Sequence, residues 1–143
     1  MQLYNAQSIL EVGCGKGGII TQFKAPVRIG VDNFQPFILE AKKFFPEVLF
    51  IKHDVRHLMD IFIEQSFDAV IGFDILEHIP EEDLPQLIQV CEELAKKLII
   101  FFSPLDELGK ELFQEPIEGN ESMRHITIIR EQFFIDRGYS TIT

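Results

Sequence analysis

The chain has 143 residues, 46% of them hydrophobic and 25% charged, enough for one domain over residues 1–143 with a real core. Its net charge of −10 at pH 7 disfavours a nucleic acid backbone as partner, since that needs clustered Lys and Arg. No apolar run reaches the roughly 18 residues needed to span a membrane, and Met-Gln-Leu-Tyr-Asn-Ala lacks the basic start of a signal peptide, so a membrane location is not expected. Cys14 and Cys91 lie far apart and form no metal or redox spacing, which suits reduced thiols in a cytoplasmic protein.

The first predicted strand is Ser8–Val12. It breaks into a glycine-rich turn and then a helix-compatible stretch, Lys16–Phe23. The turn admits two readings. Gly13, Gly15 and Gly18 match the G-x-G-x-x-G spacing of a dinucleotide loop, whereas Glu11, Gly13, Gly15 and Gly17 spell E-x-G-x-G-x-G. A dinucleotide loop offers a bare helix N-terminus to a pyrophosphate, and Glu11 would repel that group. The same carboxylate would suit a ligand bearing an ammonium.

Further predicted strands follow at Val27–Val31, Val48–Ile51, Ala69–Phe73 and Leu98–Phe102. Between them lie helix-compatible stretches at Gln35–Phe45, Val55–Ile63 and Glu81–Lys97. Continuous apolar strands alternating with helices imply an α/β fold, a mostly parallel sheet covered on both faces. Beyond Phe102, residues Ser103–Asn120 read mostly as loop with a short helix at Leu105–Phe113. Ile126–Arg137 reads as a helix ended by Gly138, and Tyr139–Thr143 as a sixth strand.

Right-handed crossovers place every parallel strand's C-terminus on one edge, where ligands bind in such sheets. Each of the first four strands ends beside an acid: Glu11, Asp32, Asp54 and Asp74. Four carboxylates on one edge repel each other, and a ligand rich in hydroxyl, amino and ammonium donors relieves that cost. Asp32 stands 17 residues after Gly15, in place to grip a ribose diol in either reading of the turn. Asp54 has no counterpart in the simple dinucleotide fingerprint and could accept from an adenine amino group.

Four segments now carry a family resemblance: Ile9-Leu-Glu-Val-Gly-Cys-Gly-Lys-Gly17, Gly30-Val-Asp-Asn33, His53-Asp54-Val55 and Ser66-Phe-Asp-Ala-Val-Ile-Gly-Phe-Asp-Ile-Leu-Glu-His-Ile-Pro80. The chain resembles the class I S-adenosylmethionine-dependent methyltransferases of the small-molecule type, over roughly residues 8 to 140. The resemblance implies a Rossmann-like doubly wound sheet of order 3-2-1-4-5, a sixth strand at the edge and no seventh. It implies S-adenosylmethionine as cofactor, with Glu11, Gly13, Cys14 and Gly15 at its methionine end. Asp32 and Asn33 would hold ribose and adenine, Asp54 and Val55 would flank the adenine, and the Phe73 backbone would meet the amino acid moiety.

The implied activity is methyl transfer to a small or medium acceptor by in-line displacement. The alternatives are a non-catalytic S-adenosylmethionine-binding module serving a partner and, further off, an NAD-dependent oxidoreductase. Asp74, Glu77 and His78 are the candidates for handling an acceptor proton. Asp74-x-x-Glu77-His78, with His125 downstream, also resembles the metal-binding pattern of some class I O-methyltransferases; a wall-forming role for His78 without metal is the reading preferred. Relatives usually carry a helix before strand 1 and a closing hairpin after strand 5. The resemblance therefore implies a thinly roofed site and an open edge at strand 5, which the sixth strand or a second copy in a homodimer could cover.

Overall fold

A computed structural model describes residue 3, residues 5–104 and residues 119–142. Its sheet has five parallel strands: β1 (Ser8–Val12), β2 (Val27–Asp32), β3 (Leu49–Lys52), β4 (Phe67–Phe73) and β5 (Ala95–Phe102). Their order is β3-β2-β1-β4-β5, as expected. Among the described residues three α-helices flank them: α1 (Gln35–Phe44), α2 (Leu84–Leu94) and α3 (Glu131–Ile135). Pro36 and Pro85 sit in the first turns of α1 and α2, where a missing N–H costs nothing.

The strands form because alternate residues feed two different cores. On one face Leu10, Val12, Val31 and Val70 pack with Leu87, Ile88, Cys91 and Leu94 of α2. On the other, Ile9, Ala69, Ile71 and Phe50 pack with Ile38 and Ala41 of α1. Both faces of β1 and β4 are thereby dry, which explains their unbroken apolar sequences. β4 starts two residues before the predicted boundary. Its buried Asp68 is tolerated because the carboxylate accepts from the Gln7 amide at 2.7 Å and pairs with Lys97 at 3.1 Å.

Several predicted helices are shorter than their apolar spacing suggests. Lys16–Phe23 yields a single 3-10 turn at Ile20–Gln22, because the Glu11 carboxylate captures the Ile20 amide at 3.0 Å and holds the preceding residues as a loop. Val55–Ile63 is a 3-10 segment at Val55–Asp60, interrupted by non-helical His57. Glu81–Lys97 gives a 3-10 turn at Glu81–Asp83, then α2, and its last three residues belong to β5. Ile126–Arg137 is helical only over Glu131–Ile135. The amides of Ile126 and Thr127 bond instead to the Glu77 carbonyl at 2.8 and 3.1 Å, which keeps that stretch extended.

The expected sixth strand is corrected: residues 139–142 form no strand, and the described sheet ends at β5. Gly138, at φ +87°, turns the chain after α3, and Tyr139 then folds back by donating its amide to the Phe134 carbonyl rather than joining the sheet. The predicted helix at Leu105–Phe113 lies outside the described residues. No helix among the described residues is long and apolar enough to cross a membrane.

Candidate active site

The C-terminal ends of β1 to β4 open into a cavity of about 430 Å³. Its wall includes Glu11, Gly13, Cys14, Gly15, Asp32, Asn33, Asp54, Val55, Phe73, Asp74 and His78. Parallel pairing builds this: Glu11 sits opposite Gly30 and Asp32 opposite Lys52, so the strand-end acids converge. Of the twelve residues named from sequence, Glu77 does not line the cavity.

The glycine turn is tied down at both ends. The Gly13 and Cys14 amides donate to the Val31 carbonyl at 2.9 and 3.0 Å. Gly13, Gly15 and Gly17 all have positive φ, the left-handed region that residues with a Cβ avoid. The Gly15 amide donates to Asp32 Oδ2 at 2.9 Å, while Asp32 Oδ1 accepts from the Phe34 amide at 2.8 Å. Asp32 is thus pinned between the turn and the start of α1, with its remaining lone pairs free for a ligand.

Glu11 is almost fully buried, and burial pushes its carboxyl from the ordinary 4.5 up to about 8. The Ile20 amide opposes this rise and the nearby Asp32 charge adds to it. Burial also raises Asp32, against the amides of Phe34 and Gly15. Cys14 is driven well above the ordinary thiol range by burial and then by the charges of Asp32 and Glu11. It is therefore a packing residue and no nucleophile.

Asp54 behaves differently. Its carboxylate takes Arg56 Nη2 at 2.6 Å and Nε at 3.0 Å, and also caps the 3-10 turn through the Arg56 amide at 2.9 Å. Hydrogen bonding to Arg56 holds its carboxyl below the usual range. Arg56 extends to Asp83 at 2.5 Å, linking the end of β3 to the start of α2.

The fourth strand ends at Asp74, a non-glycine residue at φ +49° whose amide donates to the Phe102 carbonyl. Next comes His78, whose Nδ1 lies 3.0 Å from the Arg124 carbonyl. A carbonyl only accepts, so Nδ1 carries hydrogen and a neutral ring keeps Nε2 as an acceptor. Glu77 is buried behind this wall: Oε2 accepts from Ser103 at 2.6 Å and Oε1 has no hydrogen-bond partner among the described residues. Glu77, His78 and His125 bring ligand atoms within 4.8 Å of one another, and Asp74 stands outside that group.

The sequence pointed to His125 approaching Glu77 and His78, as the structure has it, but the rest of the roof was missed. Asn120, Ser122, Met123 and Ile126 line the cavity from a segment read as loop and helix. It is anchored by Thr127 Oγ1 donating to the Ile79 carbonyl at 2.5 Å and by the two amides on Glu77. Ser122 reaches Asn33 across the cavity at 3.4 Å. The local signal was Asn120, whose side chain caps the turn at Glu121–Met123. The anchors lie more than 40 residues away in sequence. Arg56 was also missed.

Residues 9–97 match the family model described as a methyltransferase domain. The chain is 27% identical over 142 residues to the trans-aconitate 2-methyltransferase of Escherichia coli O45:K1, covering 96% of this chain and 51% of that protein. It spans about half the length of the curated relatives it matches. Among solved structures, the PH0226 protein of Pyrococcus horikoshii is 26% identical with a TM-score of 0.58, covering 66% of this chain and 48% of that one. An Archaeoglobus fulgidus SAM-dependent methyltransferase shares the fold at a TM-score of 0.61 and 23% identity, over 70% and 46% of the two chains. With the 3-2-1-4-5 sheet and the acid-ringed glycine turn, these matches place the chain in the methyltransferase-domain family, in its class I, S-adenosylmethionine-dependent branch.

Proposed function

We propose that this chain binds S-adenosylmethionine in the cavity beyond β1 to β4 and transfers its methyl group to a small or medium acceptor. The observation that carries the reading is the convergence of Glu11, Asp32 and Asp54 around the turn at Gly13–Gly17 in one cavity. Three acids with few cations suit a ligand that donates from an ammonium, a diol and an amino group. Glu11, Gly13, Cys14 and Gly15 take the methionine end, with the Phe73 backbone. Asp32 and Asn33 take ribose and adenine. Val55 and Asp54, the latter fixed by Arg56, flank the adenine.

S-adenosylmethionine held there would supply an electrophilic methyl on a sulfonium, with a neutral thioether as its leaving group. The chain's part is alignment and exclusion of water. The roof from Asn120 to Ile126 supplies cover. His78 Nε2 receives the proton of an acceptor that must lose one, Asp74 faces the acceptor, and Glu77 holds the roof in place. The E. coli relatives are named for a small acceptor, which supports a small acceptor here without specifying that acid. Residues 1–143 are read as one domain. The reduced, buried cysteines suit a cytoplasmic protein, the −10 charge makes nucleic acid an unfavourable partner, and the β5 edge is where a second copy would pair.

The buried Glu11 gives a test. An ammonium beside it favours the ionised form, so binding below about pH 8 releases a proton. S-adenosylhomocysteine affinity is expected to rise between pH 6 and 8, by up to about tenfold per pH unit. Calorimetry in buffers of different ionisation heat reads the proton directly; affinity independent of pH, with no proton released, contradicts the assignment. The stability of the free protein is expected to follow the opposite trend. Its folded state holds more protons than the unfolded chain between 4.5 and about 8, so Glu11's contribution is full below that window and is lost as pH rises through it.

A further inference from the structure

The charge on the cavity wall is lopsided. Glu11, Asp32, Asp54 and Asp74 contribute carboxylates, and among the described lining residues Arg56 is the one fixed cation. Arg56 is spent: its guanidinium is bonded to Asp54 at 2.6 and 3.0 Å and to Asp83 at 2.5 Å. The arginines near the roof sit in ion pairs, Arg124 with Glu121 at 2.8 Å, though its Nε makes no well-directed hydrogen bond, and Arg130 with Glu81 at 3.3 Å. The wall left over once the cofactor residues are assigned is apolar at Ile19, Pro80, Met123 and Ile126. Its polar groups include Asp74 and His78. The Asp74 side chain has no hydrogen-bond or ion-pair partner among the described residues, and it stands exposed on the cavity side of β4.

We infer that the acceptor is a part-apolar amine, its ammonium held at Asp74 and its apolar body against Ile19, Met123 and Ile126. This rests on the cofactor reading above. A carboxylate-bearing acceptor would face the Asp74 carboxylate, with no free counter-ion among the described lining residues to replace its lost water. An unmet charge of that kind rejects a ligand as effectively as a steric clash. An ammonium meets the opposite situation, because Asp74 offers it an unpaired carboxylate on the cavity wall.

The acceptor is not needed for the test. Two S-adenosylhomocysteine derivatives serve as probes, the sulfur of each carrying a short alkyl arm that ends in ammonium or in carboxylate. Calorimetry on the full chain is expected to find the ammonium arm at least tenfold tighter. In Asp74→Asn the ratio should fall below threefold; asparagine tolerates the positive φ at this position, so the variant keeps the turn. A carboxylate arm that binds as tightly as the ammonium arm overturns the inference, and so does a ratio unchanged by Asp74→Asn. Failure of unmodified S-adenosylhomocysteine to bind overturns the cofactor reading, and this inference with it.

Discussion

Asp32→Ala is expected to weaken S-adenosylhomocysteine binding by about 1–3 kcal/mol, the scale for losing a charged hydrogen-bond partner. In calorimetry this reads as roughly a 5- to 150-fold rise in Kd. The residue does two things at once. It presents a carboxylate where a ribose diol would lie, and it receives the Gly15 and Phe34 amides at 2.9 and 2.8 Å. Alanine removes the ligand contact and also frees the glycine turn from α1. Asp32→Asn separates the two effects, since an amide oxygen can still accept one amide hydrogen while the charge is gone. An affinity unchanged in Asp32→Ala would contradict the ribose assignment.

Gly17→Val is expected to cost the larger amount, roughly 2–5 kcal/mol of folding stability, combining the left-handed backbone penalty with overpacking. Gly17 has φ +83°, and a Cβ there would lie 2.6 Å from Phe50 Cζ and 2.8 Å from Cε1. The Phe50 ring is fully buried between β3 and α1, so it has nowhere to go. A fall in Tm of about 10 °C is the expected reading for a domain of this size. Pairing the change with Phe50→Leu should recover part of the loss, because the clash goes while the backbone strain stays. Wild-type stability in Gly17→Val would show that the turn does not adopt the conformation described.

The strands were legible in sequence because β1 and β4 bury both faces, leaving unbroken apolar runs bounded by acids and glycine. The acids were legible for the same reason: a parallel sheet puts every strand's end on one edge. Helix lengths were over-read. The apolar spacing of Lys16–Phe23 satisfies a helix, yet the buried Glu11 carboxylate takes the Ile20 amide and holds the loop open. The start of β4 was missed because Asp68 looks like a loop residue until Gln7 and Lys97 satisfy it. The roof was illegible, since Ile126 and Thr127 are extended through bonds to Glu77, and no local pattern signals a partner nearly fifty residues away. Arg56 was overlooked for a similar reason: its meaning comes from Asp83, 27 residues on.

The central claim is that the cavity around the glycine turn is built for S-adenosylmethionine and not for a dinucleotide. Parallel calorimetric titrations with S-adenosylhomocysteine and NADH test it most directly. One S-adenosylhomocysteine per chain, bound far more tightly than NADH and with NADH unable to displace it, is the predicted result. Tighter binding of NADH would contradict the account, because the acids lining the cavity offer a pyrophosphate acceptors where it needs donors.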